Sequence, residues 1–364
     1  MKIGIITFHR PKNYGAELQA YAMQTFLHEQ GHDAYLVDYW PEYREETEKL
    51  LSPRLLKGVS WKRKIQLIVQ APFVKRRFRK RWLSTAHFVN TYLHLSNDKE
   101  YDVVVYGSDQ IWRKMNNPML KDYDPVYFGN DYVFAKKKVS YAASMGRVAF
   151  ANDNDENRFL ELIKNFDAIS VREIDLKNFL GEKIGKDIPI VCDPVFLLDE
   201  NSWRSFVDSS VIPKSPYILY YNHQELSVTT RFVDYLSNRT GLSVIEMRGG
   251  VAPFHYSSRY RLTADAREFV SLLSGAAMVV TSSFHGVALS ICFGKQFYYA
   301  SHSSRSNRIE SLLESLELDG RKIENCYEKV LQRRPIDYNS IQDNKKALIQ
   351  SSKKWLLSQL DNQL

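Results

Sequence analysis

Three short runs in this sequence carry side chains able to bind anions and move protons: Thr281-Ser282-Ser283-Phe284-His285-Gly286, Gly107-Ser108-Asp109-Gln110 and Val171-Arg172-Glu173. In the first, an apolar β-branched run, Met278-Val279-Val280, gives way to three hydroxyl residues suited to capping a helix. His285 and Gly286 then fall in the first helical turn, where free N–H groups and the positive end of the dipole favour a phosphate or carboxylate. The plainer reading is a histidine that only caps a helix. In the second run, Asp109 follows the strand pattern Tyr101 to Tyr106 and stands where open α/β sheets bind ligands; a turn aspartate is its plainer reading. In the third, Arg172 follows Ala168 to Val171 and points to the same edge, unless it is a surface arginine paired with Glu173 or Asp175.

The elements that must position these groups alternate. Lys2 to Phe8 reads as a strand, Gly15 to Gly31 as a helix with its end signal, and Asp33 to Tyr39 as a second strand, a βαβ opening without the G-x-G-x-x-G fingerprint. Asn13, Tyr14 and Gly15 fall at the carboxyl end of the first strand. Further strands are expected at Lys138 to Ala142 and Ile188 to Cys192, then at Tyr217 to Tyr221, Ser243 to Met247 and Gln296 to Ala300, with helices between. The expectation is two doubly wound Rossmann-like domains facing a cleft, over residues 1–195 and 196–335, with a helix in 336–364 crossing back to the first.

With 44% apolar and 25% charged residues in 364, the chain has a soluble globular composition and length for two domains. Cys192, Cys292 and Cys326 are odd in number and far apart, which argues for thiols in a reducing compartment rather than a disulfide framework or metal site. The N-terminus does not read as a signal peptide, and no run reaches membrane-spanning length, so a cytoplasmic protein is expected.

The net charge of +8 is local. Arg54 to Arg81 holds 11 basic residues and no acid; the rest holds 39 basic against 42 acidic. This helical insertion, at about 50–95, is expected as two helices divided by Pro72, with Trp61, Ile65 and Ile68 on one face and Val74, Phe78 and Trp82 on another. A solvated charged face is the ordinary meaning of such a run. Interleaved aromatics also suit peripheral contact with anionic lipid. Nucleic acid is disfavoured because no recognition motif accompanies the patch.

Taken in order, NYGAELQAYAMQTFL, YGSDQIW, VSYAASMG, ISVRE, DPVFLL, TSSFHG and SNRIESLLESL resemble the polysaccharide pyruvyl transferase family over nearly the whole chain. The resemblance implies a GT-B-type fold and a bacterial enzyme of capsule or exopolysaccharide biosynthesis. Its implied reaction transfers pyruvate from phosphoenolpyruvate to a sugar hydroxyl pair as a ketal, without metal or cofactor, on an acceptor that is lipid-linked in many such pathways. Many relatives carry an arginine where this chain has Ser283, and Arg308 is the candidate replacement. On this reading His285, Asp109 and Arg172 are catalytic. Ser282, Ser283, Gly286, Arg308 and Ser144 hold the donor, and Asn13, Tyr14, Gly15, Ser108 and Gln110 face the acceptor. The alternatives are a GT-B glycosyltransferase using a nucleotide sugar, and a non-enzymatic scaffold on the same fold.

Overall fold

The computed structural model describes residues 1–11, 13–223, 226–249, 259–261, 264–301, 306–318 and 321–360. Two parallel sheets organise the chain. The first contains β1 (Lys2–Ile6), β2 (Asp33–Val37), β3 (Leu95–Ser96), β4 (Glu100–Tyr106), β5 (Phe134–Ala143) and β6 (Ala168–Val171), in the order β3-β2-β1-β4-β5-β6. That is the 3-2-1-4-5-6 order of a Rossmann sheet, with its switch point between β1 and β4. The second contains β7 (Tyr217–Asn222), β8 (Ser243–Arg248), β9 (Met278–Thr281) and β10 (Gln296–Tyr299), in the order β10-β9-β7-β8. Its order reverses between β7 and β9.

The helices are α1 (Tyr14–Glu29), α2 (Glu42–Thr47), α3 (Trp61–Tyr92), α4 (Asp153–Ile163), α5 (Ile174–Ile184) and α6 (Glu200–Phe206), then α7 (Ser227–Thr240), α8 (Ala266–Gly275), α9 (Phe284–Cys292), α10 (Ser306–Ser315), α11 (Tyr327–Gln332) and α12 (Gln342–Leu360). One apolar core runs through both sheets: Ile3 and Ile5 belong to the same packed cluster as Leu219 and Val279, with Leu18, Met23 and Leu27 of α1 among them. The Tyr14 ring stacks on Phe269 of α8 at 5.0 Å and leans on Tyr221 of β7 at 5.6 Å. The final helix, α12, packs beside residues of the first sheet. Ser352 Oγ accepts from the Cys192 amide at 2.9 Å, and Leu356 and Leu360 are buried in the core shared with Val139 and Tyr141.

Three local expectations need correction. Pro72 does not divide the basic segment: α3 runs unbroken through it. The carbonyl that loses its helical partner is that of Ile68, on the exposed side where water can reach it, so the proline costs one bond without a break. Ile188 to Cys192 is not a strand. It meets β6 through one bridge, Val171 to Ile190, because Pro189 supplies no ladder donor. Finally, Val74, Phe78 and Trp82 do not share an environment: Val74 is buried while Trp82 is exposed.

Candidate functional site

The loops after β1, β4, β7 and β9 meet at one cavity of about 240 Å³, where the two switch points face each other. Asn13 comes from the first loop, Asp109 and Gln110 from the second, His223 from the third and Ser283 from the fourth, with Phe284 and His285 following in the first turn of α9. Arg44, Arg113 and Arg308 complete the polar wall.

The loop after β4 is shaped by its backbone. Gly107 has φ +126°, and a Cβ there would lie 2.0 Å from the Tyr141 carbonyl oxygen, so no other residue fits. Asp109 adopts φ 58°, a left-handed conformation that aspartate tolerates better than most residues, and its Oδ1 accepts from the Gln110 amide at 2.8 Å. Gln19 of α1 ties the first two loops together: its Nε2 donates to Thr7 Oγ1 and the Phe8 carbonyl, and its Oε1 accepts from the Ser108 amide.

Behind the cavity lies a buried charged cluster centred on Asp193, which follows the irregular Ile188–Cys192 stretch. Asp193 Oδ2 accepts from Ser108 Oγ at 2.9 Å, pairs with Arg172 Nη1 in a very short contact, and lies 3.5 Å from His285 Nε2. Burial alone would raise its carboxyl pKa; His285 and Arg172 more than reverse this and hold it well below the usual carboxylate range. Asp109 is governed similarly. Burial opposes ionisation, while His285, Arg172 and Arg308 draw the pKa below its ordinary value. Arg172 Nη2 stands 3.7 Å from Asp109, and its Nε donates to Glu173 Oε1 at 3.4 Å. Burial raises the Glu173 carboxyl pKa despite that arginine. The guanidinium carbons of Arg172 and Arg308 lie 4.7 Å and 5.7 Å from the Phe284 ring centre.

His285 is held on two sides. Asp193 faces its Nε2, and the backbone of Gly15 lies against its other edge, where an added Cβ would stand 2.3 Å from Nδ1. Glycine in the Asn13-Tyr14-Gly15 run is therefore the space the histidine occupies.

Of the candidates named from sequence, Asn13, Asp109, Gln110, Ser283, His285 and Arg308 line the cavity. Arg172 and Ser108 stand behind it in the charged cluster. Arg172 is buried rather than a surface residue, and it pairs with Glu173 but not with Asp175, whose Oδ2 accepts from the Val148 amide. Ser144 is fully buried, its Oγ accepting from the Gly146 amide. Ser282 is fully buried beside Tyr221, whose carbonyl accepts its amide. Gly286 abuts the Thr281 side chain, and Tyr14 belongs to the core between the sheets. At the N-terminus of α9 the N-cap residue is Ser283, whose hydroxyl makes no capping hydrogen bond, while its amide donates to Thr281 Oγ1 at 3.0 Å.

Sequence reasoning missed Asp193, Arg44, Arg113 and His223. Asp193 had a signal, since an aspartate at the end of a strand-like run is placed as Asp109 is. Arg44 had none, because the acidic run around it reads as a solvated helix. Its place is set by Tyr43, whose Oη donates to Asp124 at 2.7 Å, and by the Phe8 ring, whose centre lies 3.7 Å from the guanidinium carbon.

Solved structures similar to the chain include the UDP-GlcNAc 2-epimerase of Methanocaldococcus jannaschii (12% identity, 96% of this chain and 99% of that one, TM-score 0.47). The Neisseria meningitidis UDP-GlcNAc 2-epimerase bound to UDP-GlcNAc is comparable (11%, 97% and 100%, TM-score 0.45), as is the glycosyltransferase SnogD of Streptomyces nogalater (10%, 97% and 95%, TM-score 0.43). No curated protein matches the chain. The sequence model for polysaccharide pyruvyl transferase, in contrast, spans residues 13–304, from the asparagine at the first switch point to beyond the histidine at the second. The chain belongs to the polysaccharide pyruvyl transferase family.

Proposed function

We propose that this transferase moves pyruvate from phosphoenolpyruvate to two hydroxyls of one sugar, forming a ketal during bacterial capsule or exopolysaccharide assembly in the cytoplasm. The observation that carries this reading is the cavity's charge. Three arginines converge there with one aspartate and two histidines. That excess of cation suits a small donor bearing both carboxylate and phosphate.

In the reaction, a proton adds to the methylene carbon of the donor and leaves an oxocarbenium-like centre at the phosphate-bearing carbon. One sugar hydroxyl attacks that carbon and loses its proton. The C–O bond to phosphate breaks, and the second hydroxyl closes the ring as its proton passes to the departing phosphate. Inorganic phosphate and the ketal are the only products. Arg44, Arg113 and Arg308 hold the two anionic groups, so donor contacts come from both halves of the chain. His285, aligned by Asp193, handles the proton at the donor, and Asp109 accepts one from the acceptor hydroxyl. Arg172 is a positioning residue that acts through Asp193 and Asp109.

The test is incubation with phosphoenolpyruvate and a panel of synthetic and lipid-linked glycosides. The expected result is acceptor-dependent phosphate release together with the mass of a pyruvate ketal, both lost in His285→Ala. Glycosyl transfer from a nucleotide sugar, with no phosphate released from phosphoenolpyruvate, would overturn the proposal.

A further inference from the structure

The outer side of α3 carries a second surface, distinct from the cavity. At 3.6 residues per turn, Val74, Arg81, Thr85 and Phe88 fall on one side of the helix, and all are buried. Trp61, Ile65, Ile68 and Val69 fall on the opposite side, with Phe73 at its margin, and all five are between 53% and 67% exposed. The exposed Lys62, Lys75, Arg76, Arg79 and Lys80 project along that same arc or its margins. Arg81 does not belong to this surface: it is buried, its guanidinium 3.9 Å over the Tyr14 ring and donating to the Ala264 carbonyl. Trp82 is also set apart, since it turns toward a cavity lined by Trp40 and Val89.

We infer that this face of α3 docks peripherally on an anionic phospholipid surface. The helix is anchored to the body by one side, and the other offers apolar side chains at the depth of the headgroups with cations beside them. No helix among the described residues is long and apolar enough to cross a membrane, so contact is from one side only. Charge complementarity selects the occupant. Residues 54–81 contain 11 basic residues and no acid, so a second copy would bring like charge to like charge. Nucleic acid satisfies the cations but gives Ile65, Ile68 and Val69 no hydrocarbon layer. The inference rests on this surface and is independent of the donor assigned above.

The test is co-sedimentation of the full chain with vesicles of phosphatidylcholine alone and of phosphatidylcholine with one-third phosphatidylglycerol. Binding is expected only to the anionic vesicles and is expected to fall as salt rises. Replacing Lys62, Lys75, Arg76, Arg79 and Lys80 with Gln should weaken it by at least roughly 100-fold, because each basic residue near such a surface adds to the attraction. Trp61→Gln with Ile65→Gln and Ile68→Gln should weaken it by at least tenfold. These positions are exposed, so an unchanged melting temperature will show that each variant folds. No binding to anionic vesicles at low salt, equal binding to neutral ones, or wild-type binding by either variant would overturn the inference. Tighter binding to duplex DNA or RNA than to vesicles, or loss of the surface in a dimer seen by sedimentation, would also overturn it.

Discussion

Asp193 and Gly15 act on the same histidine from opposite sides, and each predicts a distinct defect. In Asp193→Asn, the buried Arg172 keeps Glu173 but loses its closest counter-charge, and His285 loses the carboxylate facing Nε2. Turnover should fall at least roughly 100-fold with a destabilisation of about 3 kcal/mol, read from steady-state kinetics and urea unfolding. Gly15→Ala would put a methyl 2.3 Å from His285 Nδ1 and should lower kcat by roughly 100-fold or more, because ångström-scale misplacement is enough at a reacting centre. Wild-type kcat in folded Gly15→Ala would show that the ring position is unimportant. The pH dependence has a fixed sign. The Asp193 and Asp109 carboxyls titrate below their ordinary values in the folded protein, so the stability they contribute is present above the unfolded pKa of about 4 and lost as pH falls through the folded value. The melting temperature should drop below about pH 4, and less steeply in Asp193→Asn. Asp109 and His285 were legible in the sequence because they follow clear strand patterns. Asp193 carries the same signal at the end of a strand-like run, but its place at the centre of the charged cluster shows only once Ser108, Arg172 and His285 are seen around it.

At the scale of elements, α3 is held by a charged residue. Arg81→Ala removes a guanidinium packed on Tyr14 and strands the Ala264 carbonyl; the expected cost is about 3 kcal/mol in urea unfolding, against about 0.5 kcal/mol or less for the exposed Arg79→Ala. Equal costs would place Arg81 outside the core. Glu17 of α1 is buried near this arginine, and burial, opposed by Arg81, pushes its carboxyl up to about 8. That stabilising contribution is fully present below the unfolded value of about 4 and is lost as pH rises toward and through about 8. Glu17→Gln should therefore flatten the fall in melting temperature between pH 5 and 9. The basic run in α3 was visible in the sequence as a charge pattern, but a single arginine turned inward cannot be told from its neighbours by composition. Nor does local pattern show that Pro72 leaves the helix whole, since that depends on which side of the helix faces water.

Across the whole molecule, each sheet brings one switch point, and chemistry is expected where they oppose each other. The alternation of strands and helices made both sheets legible. It could not show that Arg44, from a short helix 65 residues before Asp109, reaches the same cavity, because that contact is made by the packing of α2 on Phe8 and Asp124. This cavity is proposed to take a small donor with two anionic groups. It can be tested without knowing the acceptor, by titrating phosphoenolpyruvate into the protein calorimetrically beside a UDP-sugar. Saturable binding of phosphoenolpyruvate is predicted, weakened at least tenfold in Arg44→Gln and in Arg308→Gln, with no comparable binding of the UDP-sugar. Tight UDP-sugar binding with none of phosphoenolpyruvate, or phosphoenolpyruvate binding indifferent to both arginines, would contradict it.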